Sequence, residues 1–275
     1  MNSLITNSLR PKKSLGQNFL RDENISRKIV SAINPQLSEV VLEIGPGEGA
    51  LTKYLAPLVR KLIVVDIDRR VIARIQDAYP SGEVEARHED FLNTDLDEIA
   101  RQCNQPIRIV GNIPYNITSP ILFHVLDNRS NVIDMTVMLQ REVAGRIIAV
   151  SGTKTYGILS VFCQFYADVK KLFDVAPGAF YPRPNVSSSV VRFTMLAKPR
   201  YAVDDEQFFR TMVRTIFGKR RKTLRNSLKY FVDEKGMKLP RELGSAKGQR
   251  RPEVLSISEL VELSNTLIRE ARHGA

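Results

Sequence analysis

The chain has 275 residues, 43% of them hydrophobic, with 41 basic and 30 acidic side chains and a net charge of +11. That length supports one large α/β domain plus a smaller one. No run approaches the ~20 apolar residues of a membrane span, and residues 1–11 lack the apolar centre of a signal peptide. Cys103 and Cys163 are too few and too far apart for a disulfide framework or a zinc site, and His88, His124 and His273 show no ligand spacing. The chain reads as cytoplasmic and metal-free. Residues 201–275 hold 16 basic and 10 acidic residues, so the smaller part is the more basic per residue. That favours a polyanionic partner, most simply nucleic acid, over plain solubility.

Residues 12–20 form a basic, then Gly-containing, then apolar arm, too short for an element of its own. A helix follows, with Asp22 as N-cap and Ile25, Ile29 and Ile33 at helical spacing. Residues 40–44 predict a strand, Gly45-Pro46-Gly47-Glu48-Gly49 a turn, and 50–55 the start of a helix. Strand, Gly-rich turn and helix open a Rossmann-like unit. Residues 61–66 are the second strand, and Asp66 lies where an acid can take both hydroxyls of a ribose. Gly45, Gly47 and Ala50 also satisfy the relaxed dinucleotide pattern, so an NAD enzyme stays open at this point.

Residues 67–79 predict a helix and 83–87 a third strand, which ends at Glu89-Asp90-Phe91. An acid followed by an aromatic there can meet an adenine amine and its ring; the plainer reading of Asp90 is a helix cap. After a helix over 96–102, the apolar run 107–110 is a fourth strand, and Gly111-Asn112-Ile113-Pro114-Tyr115 stands at its carboxyl end. That set suits a flat base with an exocyclic amine. The Asn112 oxygen can accept one N–H. The Ile113 carbonyl can accept the other, because Pro114 fixes the local backbone. The Tyr115 ring offers a stacking face.

Helices over 117–126, 140–150 and 156–166 and a strand over 133–139 come next. The last two strands, 169–173 and 189–195, flank Phe180-Tyr181-Pro182-Arg183-Pro184-Asn185-Val186-Ser187-Ser188, read as a stiff loop with exposed rings. Phe180 is a candidate second stacking face opposite Tyr115. Residues 198–200 read as a linker between a domain over 1–197 and a helical one over 198–275. Residues 214–229 carry seven basic residues and no acid. Phe217, Leu224 and Leu228 give that stretch an apolar seam, leaving Arg220, Arg221, Lys222 and Arg225 to meet phosphates.

Four stretches resemble one family in series: Ser14 to Leu20, Glu43 to Gly49 with Leu51-Thr52, Asn112 to Tyr115, and the F-x-P-x-P-x-V-x-S pattern of Phe180, Pro182, Pro184, Val186 and Ser188. The chain is similar to the small-subunit ribosomal RNA adenine N6-dimethyltransferases of the kasugamycin-resistance type. The resemblance implies a Rossmann-like methyltransferase domain with a small all-helical C-terminal domain, and S-adenosylmethionine rather than NAD. It places Asn18 and Leu20 over the cofactor and Gly45 beneath it. It gives Asp66 the ribose, Asp90 the cofactor adenine, and Asn112 the edge shared by both sites. Asp66 stands where the family commonly has Glu, one methylene longer, so its ribose contact is expected to shift or to be bridged by water. The implied substrate is a pair of adjacent adenosines near the 3′ end of small-subunit rRNA, met on the immature subunit by a monomer. A related large-subunit rRNA or DNA adenine methyltransferase, and a non-catalytic ribosome assembly factor, are the alternatives.

Overall fold

The computed structural model describes residues 9–219, 222–239 and 246–273. The chain divides into two compact units: 1–144 with 168–197, and 145–167 with 198–275. The expected boundary near 197/198 is thus only one of the crossings, because residues 145–167 group with the second unit.

The first unit opens with strand β1 (Phe19–Leu20) and helix α1 (Glu23–Ile33). Asp22 caps α1 as expected, accepting the backbone N–H groups of Asn24 and Ile25 at 2.9 and 3.1 Å. The helix buries Ile29, Val30 and Ile33. There follow β2 (Val40–Ile44), the short α2 (Thr52–Leu55), β3 (Lys61–Asp66), α3 (Arg69–Ala78), β4 (Val84–His88), α4 (Leu96–Cys103) and β5 (Ile107–Asn112). Next come α5 (Thr118–Asp127), β6 (Val132–Gln140) and α6 (Arg141–Ile147), in which the chain leaves this unit. After α7 (Ile158–Tyr166) of the second unit, β7 (Ala167–Val175), β8 (Phe180–Tyr181) and β9 (Ser188–Met195) complete the strands.

Seven strands form one sheet in the order β4-β3-β2-β5-β6-β9-β7. The pairs from β4 through β6 are parallel, and β6 pairs with β9 antiparallel. All five β2 residues are buried, as a central parallel strand covered on both faces requires. At the start of β5, Arg108 is only 6% exposed. Asp134 and Glu39 neutralise it at 2.7 and 2.9 Å, which a buried guanidinium demands.

Two expectations change here. The arm does hold an element: β1 pairs antiparallel with β8, Phe19 opposite Tyr181 and Leu20 opposite Phe180. The loop before Ser188 does not expose both of its rings. Phe180 is 5% exposed and packs in the core with Leu20, Ile29 and Val175, whereas Tyr181 is 49% exposed. Period-2 patterning is invisible in strands of two residues.

The second unit is helical: α7, α8 (Glu206–Gly218), α9 (Leu224–Glu234), α10 (Ala246–Gln249) and α11 (Ile257–His273). Residues 214–218 of the basic stretch lie in α8 and 224–229 in α9. The seam of that stretch is packed, with Phe217, Leu224 and Leu228 all buried, each stabilising by about 1.5–3 kcal/mol. Among the described residues, no helix is long and apolar enough to cross a membrane.

Candidate active site

Parallel strands deliver their carboxyl ends to one edge, where loops can surround a ligand. In the first unit, the ends of β2, β3, β4 and β5 and the arm enclose a cleft with about 740 Å³ of open space, part of it continuous with solvent. Of the residues singled out in the sequence, Asn18, Gly45, Asp66, Asp90, Asn112, Ile113, Pro114 and Tyr115 all line it. Leu20 and Phe180 do not; they face each other in the β1–β8 pair and are buried in the core. Lys222 and Arg225 belong to the second unit, and Arg220 and Arg221 lie outside the described residues.

The glycine turn after β2 requires left-handed backbone. Gly45 has φ +62° and Gly47 φ +58°, where L side chains are strained. A Cβ on Gly47 would also stand 2.8 Å from Cδ1 of Phe19. The arm therefore lies directly on the turn, and Phe19, which the sequence offered only as part of a motif, is a cleft residue.

Asp66 ends β3. Its Oδ1 accepts the backbone N–H of Asp68 at 2.7 Å, and the residue lines the cleft. Burial pushes its carboxyl up to about 6, with the Asp68 N–H pulling the other way. Nearby Glu43 is 1% exposed and accepts the Thr52 hydroxyl at 2.7 Å. Burial raises Glu43 to about 7; the Thr52 bond opposes the rise, and the charge of Asp66 adds to it. Asp90 does cap the following turn, its Oδ1 taking the Leu92 N–H at 3.0 Å, yet it also lines the cleft. The cap and the ligand role are compatible, since a carboxylate has a second oxygen. Phe91 lies beside it, braced edge-on by His124 at 5.3 Å between centroids.

Asn112 joins the two halves of the cleft. Its Nδ2 donates to the Asn18 carbonyl at 2.8 Å. A carbonyl only accepts, so this bond fixes which end of the amide is which and leaves Oδ1 as an acceptor. Ile113 is 1% exposed and its N–H bonds the Met138 carbonyl at 3.3 Å. Ile117 N–H and the Thr118 hydroxyl both return to Pro114 O at 3.3 Å, so the Pro-Tyr turn is tied from its own side. The Tyr115 hydroxyl meets Ser188 Oγ at 2.8 Å. Ser188 is fully buried at the start of β9. The last letter of the F-x-P-x-P-x-V-x-S pattern thus holds the aromatic of the Asn-Ile-Pro-Tyr motif.

A family model described as ribosomal RNA adenine dimethylase matches residues 8–264. The chain belongs to the ribosomal RNA adenine dimethylase family. Its curated relatives include ribosomal RNA small subunit methyltransferase A of Chlorobium luteolum, 45% identical over 257 residues, with 92% of this chain and 88% of the relative covered. The protein of the same name from Aromatoleum aromaticum is 43% identical over 256 residues, covering 93% and 94%. Among solved structures, a dimethyladenosine transferase from Plasmodium falciparum superposes with a TM-score of 0.75 at 24% identity, covering 93% of this chain and 98% of that one. The dimethylase is therefore a methyltransferase with a Rossmann-like sheet. The NAD reading of its glycine turn is set aside by family membership.

Proposed function

We propose that this dimethylase uses S-adenosylmethionine to place two methyl groups on the N6 amine of each of two adjacent adenosines near the 3′ end of small-subunit rRNA. The Asn112 bond carries the reading. With one Nδ2 hydrogen held by Asn18 O at 2.8 Å, the amide oxygen is left as an acceptor in the cleft, which matches an amine donor. The residues also suit the cofactor. An acid with one oxygen bonded to backbone ends β3, a second acid and an aromatic follow β4, and a glycine-rich turn follows β2. When bound, S-adenosylmethionine supplies a methyl group on a sulfonium.

An adenine amine is a poor nucleophile because its lone pair is delocalised into the ring. Asn112 Oδ1 and the Ile113 carbonyl accept its two N–H groups and favour a pyramidal nitrogen, with the lone pair facing the methyl. This is positioning and electrostatics, without a side-chain base. Tyr115 stacks on the base after it leaves its own helix, its plane held through Ser188. Once one methyl is on, a single N–H remains, and the second transfer needs space where the other N–H had been. Lys222 and Arg225, with Arg220 and Arg221, contact rRNA phosphates. The test is incubation with labelled S-adenosylmethionine and three acceptors: immature small subunits, naked large-subunit rRNA and DNA. Labelling of the first alone is expected; preference for either of the others would overturn the substrate assignment.

A further inference from the structure

Asp68 does not line the cleft, yet it touches both of the segments that close it. It is 2% exposed, and both oxygens are occupied. Oδ1 accepts Lys12 Nζ at 3.2 Å and Oδ2 accepts Gln17 Nε2 at 3.1 Å. Arg70 completes the set, with Nη2 at 2.6 Å from Oδ2. Gln17 is itself braced, since its Oε1 takes the Lys12 N–H at 2.8 Å. Residues 12–17 therefore form a small closed loop resting on one carboxylate, and Gly16, at φ +62°, turns it back. Arg70 adds a bond from Nη1 to the Arg10 carbonyl at 3.2 Å. From its other side, the Asp68 backbone N–H donates to Asp66 Oδ1 at 2.7 Å.

We propose that Asp68 is a positioning residue for cofactor retention, a clasp that fastens the N-terminal arm to the strand end carrying Asp66. The inference rests on the cofactor reading of the cleft. Five consecutive arm residues, Leu15 to Phe19, line that cleft, so an arm that lifts removes one of its walls. Further along, the arm is tied by the β1–β8 pair with Phe19 and Leu20 buried, the Asn18–Asn112 bond and the Arg21 N–H to Ala179 O bond at 2.8 Å, and at its start by Leu9 N–H to Glu48 Oε1 at 2.9 Å; between them, residues 12–17 rest on Asp68. Fastening at Asp68 therefore governs how often the wall opens, and through it how long cofactor stays. The bond to Asp66 couples the same residue to the ribose acid. The Arg70 guanidinium, with help from Gln17 and Lys12, holds the Asp68 carboxyl well below the usual range, so the clasp remains charged at all ordinary pH.

The test compares the full chain with Lys12→Met, Asp68→Asn and the double variant. Asn caps a helix as well as Asp does, and residue 68 keeps its backbone bond to Asp66, so α3 and Asp66 stay in place. The readouts are S-adenosylmethionine affinity by calorimetry, kcat at saturating cofactor, and amide exchange over residues 9–20 without ligand. Lys12→Met is expected to weaken affinity about threefold and Asp68→Asn about tenfold. The double variant should match Asp68→Asn, because both changes remove one contact. Arm amides should exchange faster in every variant, with kcat for Lys12→Met within about twofold. Unchanged affinity and exchange, or losses that simply add, would overturn the clasp while leaving the cofactor reading intact. No binding by the unsubstituted chain would overturn the cofactor reading, and the clasp with it.

Discussion

Replacing Asn112 by Ala removes two different things, and the structure separates them. One is the Nδ2 bond to Asn18 O at 2.8 Å, a neutral bond worth about 1 kcal/mol net, or about fivefold in cofactor affinity through a looser arm. The other is the Oδ1 acceptor proposed for the reacting amine. An oriented hydrogen-bond partner of a developing charge contributes about 2.7–4 kcal/mol, so transfer should slow by about 10²–10³. The two losses appear in different assays. Calorimetry with S-adenosylmethionine reads the first, and single-turnover methylation of immature small subunits at saturating cofactor reads the second. Asn112→Asp sharpens the contrast, because it retains an acceptor but turns an oxygen toward Asn18 O. That variant should lose more cofactor affinity than the Ala variant. A single-turnover rate for Asn112→Ala within about threefold of the parent would refute the acceptor role.

Asp66 predicts a pH signature. Its folded carboxyl is raised to about 6 by burial, above the ordinary value, so the ligand-free fold gains from it at low pH and loses that gain as pH rises from about 4 through about 6. Asp66→Asn should therefore melt higher than the parent at pH 8 and bind cofactor less well. Parental affinity should fall as pH drops below about 6, and identical melting profiles for the two proteins across that window would contradict this. Gly111→Ala places a Cβ 2.6 Å from the Ile44 carbonyl of the neighbouring strand, which is backbone and cannot yield. A loss of about 2–3 kcal/mol, read as roughly 5–10 °C in Tm by calorimetry, is expected, and an unmoved Tm would show that the β2–β5 spacing is misjudged. Ser188→Ala and Tyr115→Phe should each slow transfer by about three- to tenfold, with the double variant no slower, as one shared hydrogen bond requires; additive losses would separate the two groups. Lys222→Glu with Arg225→Glu should weaken rRNA binding and lower the slope of log affinity against log salt by about 1 per lost phosphate contact, and an unaltered slope would remove these residues from the interface.

The sheet was legible because its strands are apolar runs separated by amphipathic helices, as in β2 and β5, where burial on both faces favours apolar residues and the exceptions, Glu43 and Arg108, are hydrogen-bonded. The cleft was legible because Gly45, Asp66, Asp90 and Asn112 each follow a strand of that sheet. Pairing across long separations was not. Nothing local in Phe19–Leu20 announces a partner at Phe180–Tyr181, so the pairing by which Leu20 and Phe180 hold the arm to the core was not foreseen. Asp68 was hidden for a related reason. The sequence reading placed it inside the helix over 67–79, and its link to Lys12 and Gln17 spans more than 50 residues. The grouping of residues 145–167 with the second unit is likewise a matter of tertiary packing that helical periodicity does not encode.

The central claim is that the amine held between Asn112 and Ile113 belongs to an adenosine of small-subunit rRNA. Mass analysis of rRNA nucleosides and fragments, after the purified chain has acted on unmethylated small subunits with S-adenosylmethionine, tests it most directly. Dimethylation at N6 of two neighbouring adenosines near the 3′ end is the expected product. Methyl groups at any other atom or position, or none at all from a protein that binds the cofactor, would contradict it.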